Sequence, residues 1–396
     1  ITATDEIAVQ GLRATALEPY GAGFCLIFAG IFFAKPLWNM KLFTYADFFR
    51  EKFGPLIEKL SVFINIPIYV GWIAVQIVAL ANILSVFFPV PVWVLMLGIS
   101  LFACFLTISG GMWSVSITDS FQLLIIILGL IYLVLKISGS TPEGLEGLFN
   151  QIAADKLILI PTEKLSSVFN WLGVFSIAAL GNMTGQDLGQ RLFSAKSANV
   201  ARAGSIFAGL GYILIGSIPV FLGLTAKQTL GDYEGSVVPN LIKEYLDPVT
   251  AVILTLTIIS AVISTITSAL LAPSSMLSHN FLKLYFKNTS TLYLCKLAVV
   301  AVTVISVITA FAGEDVYGLL EGSYAIGFVG FFVPVTVGIF SKKLNEKACL
   351  ISILISVVIW LPEFFGFENL PYSLIAVAFG YPVYFISYYF ILKKSK

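Results

Sequence analysis

Residues 247–279 read DPVTAVILTLTIISAVISTITSALLAPSSMLSH, an apolar stretch that carries Ser264, Thr265, Thr267, Ser268, Ser274 and Ser275. It lies in a predicted membrane span over 246–278. At 3.6 residues per turn, Ala261, Ser264, Thr265 and Ser268 stand at i, i+3, i+4 and i+7 and share one face. In a membrane, hydroxyl oxygens with loosened carbonyls offer hard ligands to a weakly demanding cation such as Na⁺. The competing reading is structural: the hydroxyls bond carbonyls of their own helix or hold neighbouring helices together. The helix alone leaves both open.

The surrounding chain shows what kind of protein carries it. Of 396 residues, 58% are hydrophobic and only 11% charged, against about a quarter charged in soluble domains, and the mean hydropathy is +0.95. Apolar runs recur from end to end, so the chain reads as a polytopic, all-α membrane protein without a separate soluble domain. Spans are predicted at 19–36, 58–86, 91–108, 115–137, 166–188, 199–224, 246–278, 290–312, 318–340, 347–366 and 371–392, after a helical fragment at 1–13. The opening ITATDEIAVQ starts abruptly, without Met, so a preceding N-terminal part is expected. The net charge of +1 gives no argument for nucleic acid. Cys25, Cys104, Cys295 and Cys349 lie in or beside apolar runs without metal spacing and read as buried thiols. The single histidine, His279, reads as a helix cap.

Basic residues orient the chain. One side holds Lys35, Lys41, Arg50, Lys52, Lys59, Arg191, Lys196, Arg202, Lys283, Lys287, Lys342, Lys343, Lys347 and the terminal lysines. The other holds Arg13, Lys136, Lys156, Lys164, Lys227 and Lys243. The positive-inside rule makes the richer side, with the C-terminus, cytoplasmic. Localisation in a bacterial inner (plasma) membrane is expected. The segment 41–59, KLFTYADFFREKFGPLIEK, reads as an interfacial helix with Phe and Leu against lipid. The long loops 138–165 and 225–247 are expected to carry short lid helices.

Polar residues inside apolar spans point to function. Asp119, in GGMWSVSITDSFQ (110–122), is costly unless it pairs, coordinates an ion or caps a helix. Glu321 lies near the outer end of its span, and Asp5 and Glu6 in the first fragment. Asp187 and Arg191 stand at i, i+4 and read as an ion pair. Gly181, Gly185 and Gly189 allow close packing or local unwinding. Trp72, in mid-span, is either packing or one wall of a cation site. No nucleophile–His–acid set, phosphate-binding loop or metal cluster is present in the sequence, so an enzyme or ATP-driven pump is not expected.

Three motifs together resemble the sodium/solute symporter family. They are GGMWSVSITDSFQ, GNMTGQDLGQRLFSAKS (181–197) and ISTITSALLAPSSMLSHN (263–280). ITATDEIAV, AGIFFAKP and VYGLL are most similar to the high-affinity choline transporter branch. The resemblance implies an inverted five-plus-five helix repeat with two extra C-terminal helices. In a single transmembrane domain, 1–13 would be part of the first core helix, 19–340 the rest of the core, and 347–392 the additions. It implies Na⁺-coupled import of a small organic solute by alternating access, with one or two coupling ions. One Na⁺ site maps to Ile1, Ala261, Ser264 and Thr265, and a second to Asp119, Thr267 and Ser268, sharing Ser264. The solute would meet Asp5, Glu6, Ala22, Trp72, Ala178, Gly181, Gly185 and Glu321. Of the choline branch's aromatic cage, Trp72 stands at one wall, Ala22 and Gly185 stand at two others, and the fourth precedes Ile1. The sugar-binding pattern of other members is also unmatched, with Ala178 and Tyr212 at two of its positions. Small residues at 22, 178, 181 and 185 would leave room for a bulkier or flatter solute. Asp5 and Glu6 favour a cationic or zwitterionic one. Two alternatives stay open: a proton-coupled or uncoupled carrier, with Asp119 as proton site, or a non-transporting membrane sensor.

Overall fold

In a computed structural model that describes residues 2–110, 112–141, 143–312, 316–367 and 370–394, every regular element is helical. Eleven helical segments among the described residues are long and apolar enough to cross a membrane. The first of these, Thr2–Asn39, runs through a break. A helix Thr2–Gln10 tightens into a 3₁₀ segment Gly11–Ala16, and a new helix starts at Tyr20. Gly11 (φ +73°) makes the turn, and a side chain there would strike the backbone of Lys156; only glycine suits both demands.

The expected core helices follow in order. Thr2–Gln10 is the first; Tyr20–Phe28, continued by a π-turn and Ala34–Asn39, is the second. Pro55–Phe87, Val92–Ser109 and Met112–Gly139 are the third to fifth. The sixth is interrupted: Leu165–Ser176 widens into a π-turn, Ile177–Gly181, and resumes as Gln186–Ser194. Ala198–Leu224 is the seventh, and Pro248–Met276, extended by a π-turn Leu277–Leu282, the eighth. Thr291–Ala312 and Val316–Phe340 are the ninth and tenth, and Glu346–Phe364 and Tyr372–Lys394 the added pair. The eighth helix starts where its sequence says: Asp247 accepts from the N–H groups of Val249 and Thr250, with Pro248 at the first position. The Thr250 hydroxyl, and then its N–H, hold the Asp247 carboxyl below the usual carboxylate range.

These helices form two packed groups. The second helix lies along the seventh and against the π-turn of the sixth, and the first packs on the seventh. The third, fourth, eighth and ninth pack on one another, the fifth lies against the eighth, and the tenth bridges the third helix to the sixth. Both long loops carry short helices, Gly144–Asn150 in one and Val237–Tyr245 in the other.

Two expectations change. The helix in 41–59, Tyr45–Lys52, does not turn its aromatic face to lipid. Tyr45, Phe48 and Phe49 are fully buried in protein; Phe49 packs on Phe331, 5.1 Å between ring centroids. An amphipathic period marks an apolar neighbour without saying whether it is lipid or protein. His279 is no cap either. It lies in the π-turn, its ring 5.3 Å from Phe43 and its Nε2 3.7 Å from Asp47 Oδ1. The ion pair reading holds, with Arg191 Nη1 3.3 Å from Asp187 Oδ2.

Close approach of the sixth and tenth helices depends on Gly181, where a Cβ would sit 2.5 Å from the Tyr324 carbonyl oxygen and 2.9 Å from Phe328 Cβ. Gly181→Ala is therefore expected to destabilise the detergent-solubilised protein by about 1–3 kcal/mol, the usual range for overpacking. An unchanged thermal midpoint would show that this contact is not as tight as described.

Candidate functional site

The fifth and eighth helices meet through polar groups. Ser264 Oγ donates to Asp119 Oδ1 at 2.5 Å, joining residues 145 positions apart. One turn along, Gln122 Nε2 donates to Ser260 Oγ at 2.6 Å. Asp119 lies inside the helix that starts at Met112, so it is not an N-cap. The other hydroxyls bond their own backbone: Thr265 Oγ1 to the Ala261 carbonyl at 3.0 Å and Thr267 Oγ1 to the Ser264 carbonyl at 2.8 Å. Ser274 and Ser275 do the same. The structural reading of these hydroxyls is met, and it leaves the ion reading open. A hydroxyl that donates to a carbonyl keeps lone pairs on its oxygen for a cation. Ser268 is half-buried beside them. Ile1 lies outside the described residues.

The expected solute residues are less gathered. Asp5 Oδ1 accepts from the Val237 N–H at 2.7 Å, which ties the first helix to the lid helix Val237–Tyr245. Glu6 accepts from Gln10 one turn on. Ala22 and Ala178 are buried; a Cβ on the neighbouring Gly21 would come 2.6 Å from Ala178 Cβ. With Gly181 against the tenth helix, the small residues at 178 and 181 are occupied by helix contacts rather than left as room. A Cβ at Gly185 would lie 2.8 Å from Asp187 Oδ1 and 3.4 Å from the Tyr69 hydroxyl. Trp72 is half-buried, its ring 6.0 Å from that of Tyr69. Glu321 is half-buried on the tenth helix, three residues before Tyr324.

One acid escaped the sequence reading. Glu18 stands where the broken first segment gives way to the second helix. Its Oε2 accepts from the Tyr212 hydroxyl (2.9 Å) on the seventh helix, and its Oε1 from the Tyr324 hydroxyl (3.0 Å) on the tenth. No Lys, Arg or His among the described residues lies within ion-pair distance of it. The carboxyl group is therefore hydrogen-bonded but has no basic partner among the described residues. The signal was there in ATALEPYGAG, an acid beside a proline between apolar runs. It was hidden because such a pattern also describes an ordinary loop.

An interrupted pair of helices and a helix whose hydroxyls face a half-buried acid are features that inverted-repeat membrane folds share. The chain belongs to the sodium:solute symporter family, whose model matches residues 4–356. It is 27% identical to a high-affinity choline transporter 1 of Drosophila melanogaster, over 86% of this chain and 58% of that protein. It is 26% identical to the human high affinity choline transporter 1, over 84% of this chain and 60% of that one. This chain thus spans about six-tenths of the length of these relatives. In structure it is similar to a Na⁺-coupled sialic acid symporter in a substrate-bound outward-open state, with a TM-score of 0.79 and 18% identity, over 98% of this chain and 88% of that one. It is also similar to the inward-facing Mhp1, with a TM-score of 0.58 and 12% identity, over 99% of this chain and 87% of that one. These matches show the inverted-repeat transporter fold.

If Ser264 and Asp119 form part of an ion site, the purified protein should be thermally stabilised by NaCl more than by KCl. Ser264→Ala should raise the NaCl concentration for half-maximal stabilisation about tenfold, equivalent to about 1.4 kcal/mol of binding. Equal responses of the two proteins would remove Ser264 from the site.

Proposed function

We propose that this chain carries the transport core of a sodium-coupled symporter that imports a small cationic organic solute. The observation that carries the reading is the Ser264–Asp119 contact. It puts an anionic group against the hydroxyl face of the eighth helix, as a hard monovalent cation requires. Asp119, Ser264, Thr267 and Ser268 supply oxygens for one Na⁺. Ala261, Ser264 and Thr265 supply part of a second set, completed by carbonyls of the first helix. The loops rich in lysine and arginine, with the C-terminus, lie in the cytoplasm of a plasma membrane.

Glu18 supplies the charge for the solute. Its two tyrosine donors fix the carboxylate without cancelling it, and aromatic rings beside a carboxylate suit an ammonium group. The high-affinity choline transporters among its relatives make an ammonium solute the first to try, although of the three cage positions that map within this chain Trp72 alone would be aromatic. Asp5, held at the lid, would act in closure rather than in direct solute contact. Na⁺ entering from outside would favour the solute-competent state, because it binds that state better. Each charge moved inward gains about 2.3 kcal/mol per 100 mV of membrane potential.

Proteoliposomes with an imposed inward Na⁺ gradient should accumulate radiolabelled choline or another small ammonium compound several-fold over the K⁺ control. Glu18→Gln should lower apparent solute affinity at least tenfold while leaving stabilisation by Na⁺ intact. Uptake that follows a pH gradient and ignores Na⁺ would replace this reading with a proton-coupled carrier. Uptake of neutral solutes unaffected by Glu18→Gln would remove the cationic assignment.

A further inference from the structure

The short helix Tyr45–Lys52 joins the second core helix to the third, and neighbouring residues of its N-terminal turn hold different parts of the molecule. Its N-terminus is a capping box, Thr44 with Asp47. Against this box lies Asn280, which belongs to the π-turn at the inner end of the eighth helix and is nearly fully buried. Asn280 Nδ2 donates to Asp47 Oδ1 at 2.7 Å and to Glu58 Oε1 at 3.0 Å, and Asn280 Oδ1 accepts from the Thr44 hydroxyl at 2.8 Å. Glu58 is the buried acid in the first turn of the third helix. One amide therefore fastens the short helix to the third and eighth helices, through donors to two carboxylates.

The next residue faces the other way. The Tyr45 hydroxyl donates to the Met183 carbonyl at 2.7 Å, and the Tyr45 N–H donates to Gln186 Oε1 at 2.8 Å. The first acceptor lies in the interruption of the sixth helix and the second opens the helix that follows it. Gly189, one turn on, is bare because a Cβ there would sit 2.5 Å from the Tyr45 ring. Gln186 is fully buried, yet its Nε2 has no partner.

We infer that Tyr45 and Asn280 are positioning residues of a cytoplasmic gate. The inference rests on the symporter reading, in which the sixth helix moves with one packed group and the eighth belongs to the other. Asn280 anchors the short helix to the sodium-binding group, and Tyr45 is the tooth by which that helix grips the sixth. Bonds to carboxylates are the stronger of the two sets, so the grip on the sixth helix is the joint that parts. The unpartnered Gln186 amide points the same way, since water entering an opened gate would satisfy it. Two direct bonds accompany the clasp: Gln190 Nε2 to Ser275 Oγ at 2.9 Å and Tyr69 hydroxyl to Asp187 Oδ1 at 2.6 Å.

The test is cytoplasmic accessibility of a single cysteine at the buried Leu188, in a chain whose native cysteines, Cys25, Cys104, Cys295 and Cys349 among them, are replaced by alanine. A membrane-impermeant maleimide is applied to inside-out vesicles. Tyr45→Phe, which removes only the hydroxyl, is expected to speed alkylation at least fivefold. Asn280→Ala should do the same, and the double variant should be no faster than the faster single one, because both act through one clasp. Rates unchanged in Tyr45→Phe, or effects that multiply in the double variant, would overturn the proposal, whatever happens to thermal stability. The parent's response to NaCl reports separately on the sodium reading. Slowing by Na⁺ supports that reading, and no slowing counts against it while the effect of the variants still decides the gate.

Discussion

A carboxylate inside a membrane protein must be hydrogen-bonded, paired or neutralised, and the way each acid here meets that demand governs what the surrounding helices can do. Charge at the centre of a bilayer costs about 2.5–3.5 kcal/mol even on the mildest scale. Asp187 is neutralised in place by Arg191, one turn away on the same helix, and acts as structure. Asp119 is held by the Ser264 hydroxyl and Glu18 by two tyrosines, and none of these donors carries charge. The first kind of acid needs nothing more. Among the described residues the second kind has no basic partner.

The backbone makes these arrangements possible. The break at Gly11–Ala16 brings Glu18 between the seventh and tenth helices, and the break at Asn182–Gly185 exposes the Met183 carbonyl to Tyr45. Both interruptions are covered by protein, as free polar backbone at membrane depth must be. Small residues then set the spacing. Gly181 and Ala178 let the sixth helix approach the tenth and second closely, and side chains from the seventh and tenth helices reach the Glu18 carboxyl group.

The sequence made the span pattern, the broken sixth helix and the hydroxyl face readable, because hydropathy and a 3.6-residue period are local properties. The pairing of Asp119 with Ser264 is not local, and only the family resemblance placed them together before the structure did. One reading went astray, and two others meet contacts that the sequence does not show, each for a physical reason. Phe48 and Phe49 look the same facing lipid or protein. Alanine and glycine at 178 and 181 look the same lining a cavity or clearing a helix crossing. Asp5 and Glu6 were assigned by position along the first helix, whereas Asp5 turns to the lid N–H of Val237. Glu18 was missed because its partners, Tyr212 and Tyr324, are 194 and 306 residues away and no periodicity links them.

The neutral donors also suit a site that must fill and empty. A hydroxyl donates and accepts, so Ser264 can support Asp119 without an ion and turn its lone pairs toward a cation when one arrives. An arginine at the same place would neutralise Asp119 permanently, and Na⁺ would then have to compete with a tethered charge held by two parallel hydrogen bonds. The same holds at Glu18. On the proposed reading, phenol hydroxyls keep the Glu18 carboxyl group aimed and partly satisfied, so the empty site is tolerable and its charge is left for the solute. A transporter must return empty as well as travel loaded, so neither state can be much the deeper. Serine and tyrosine as partners keep that difference small, and lysine or arginine would not.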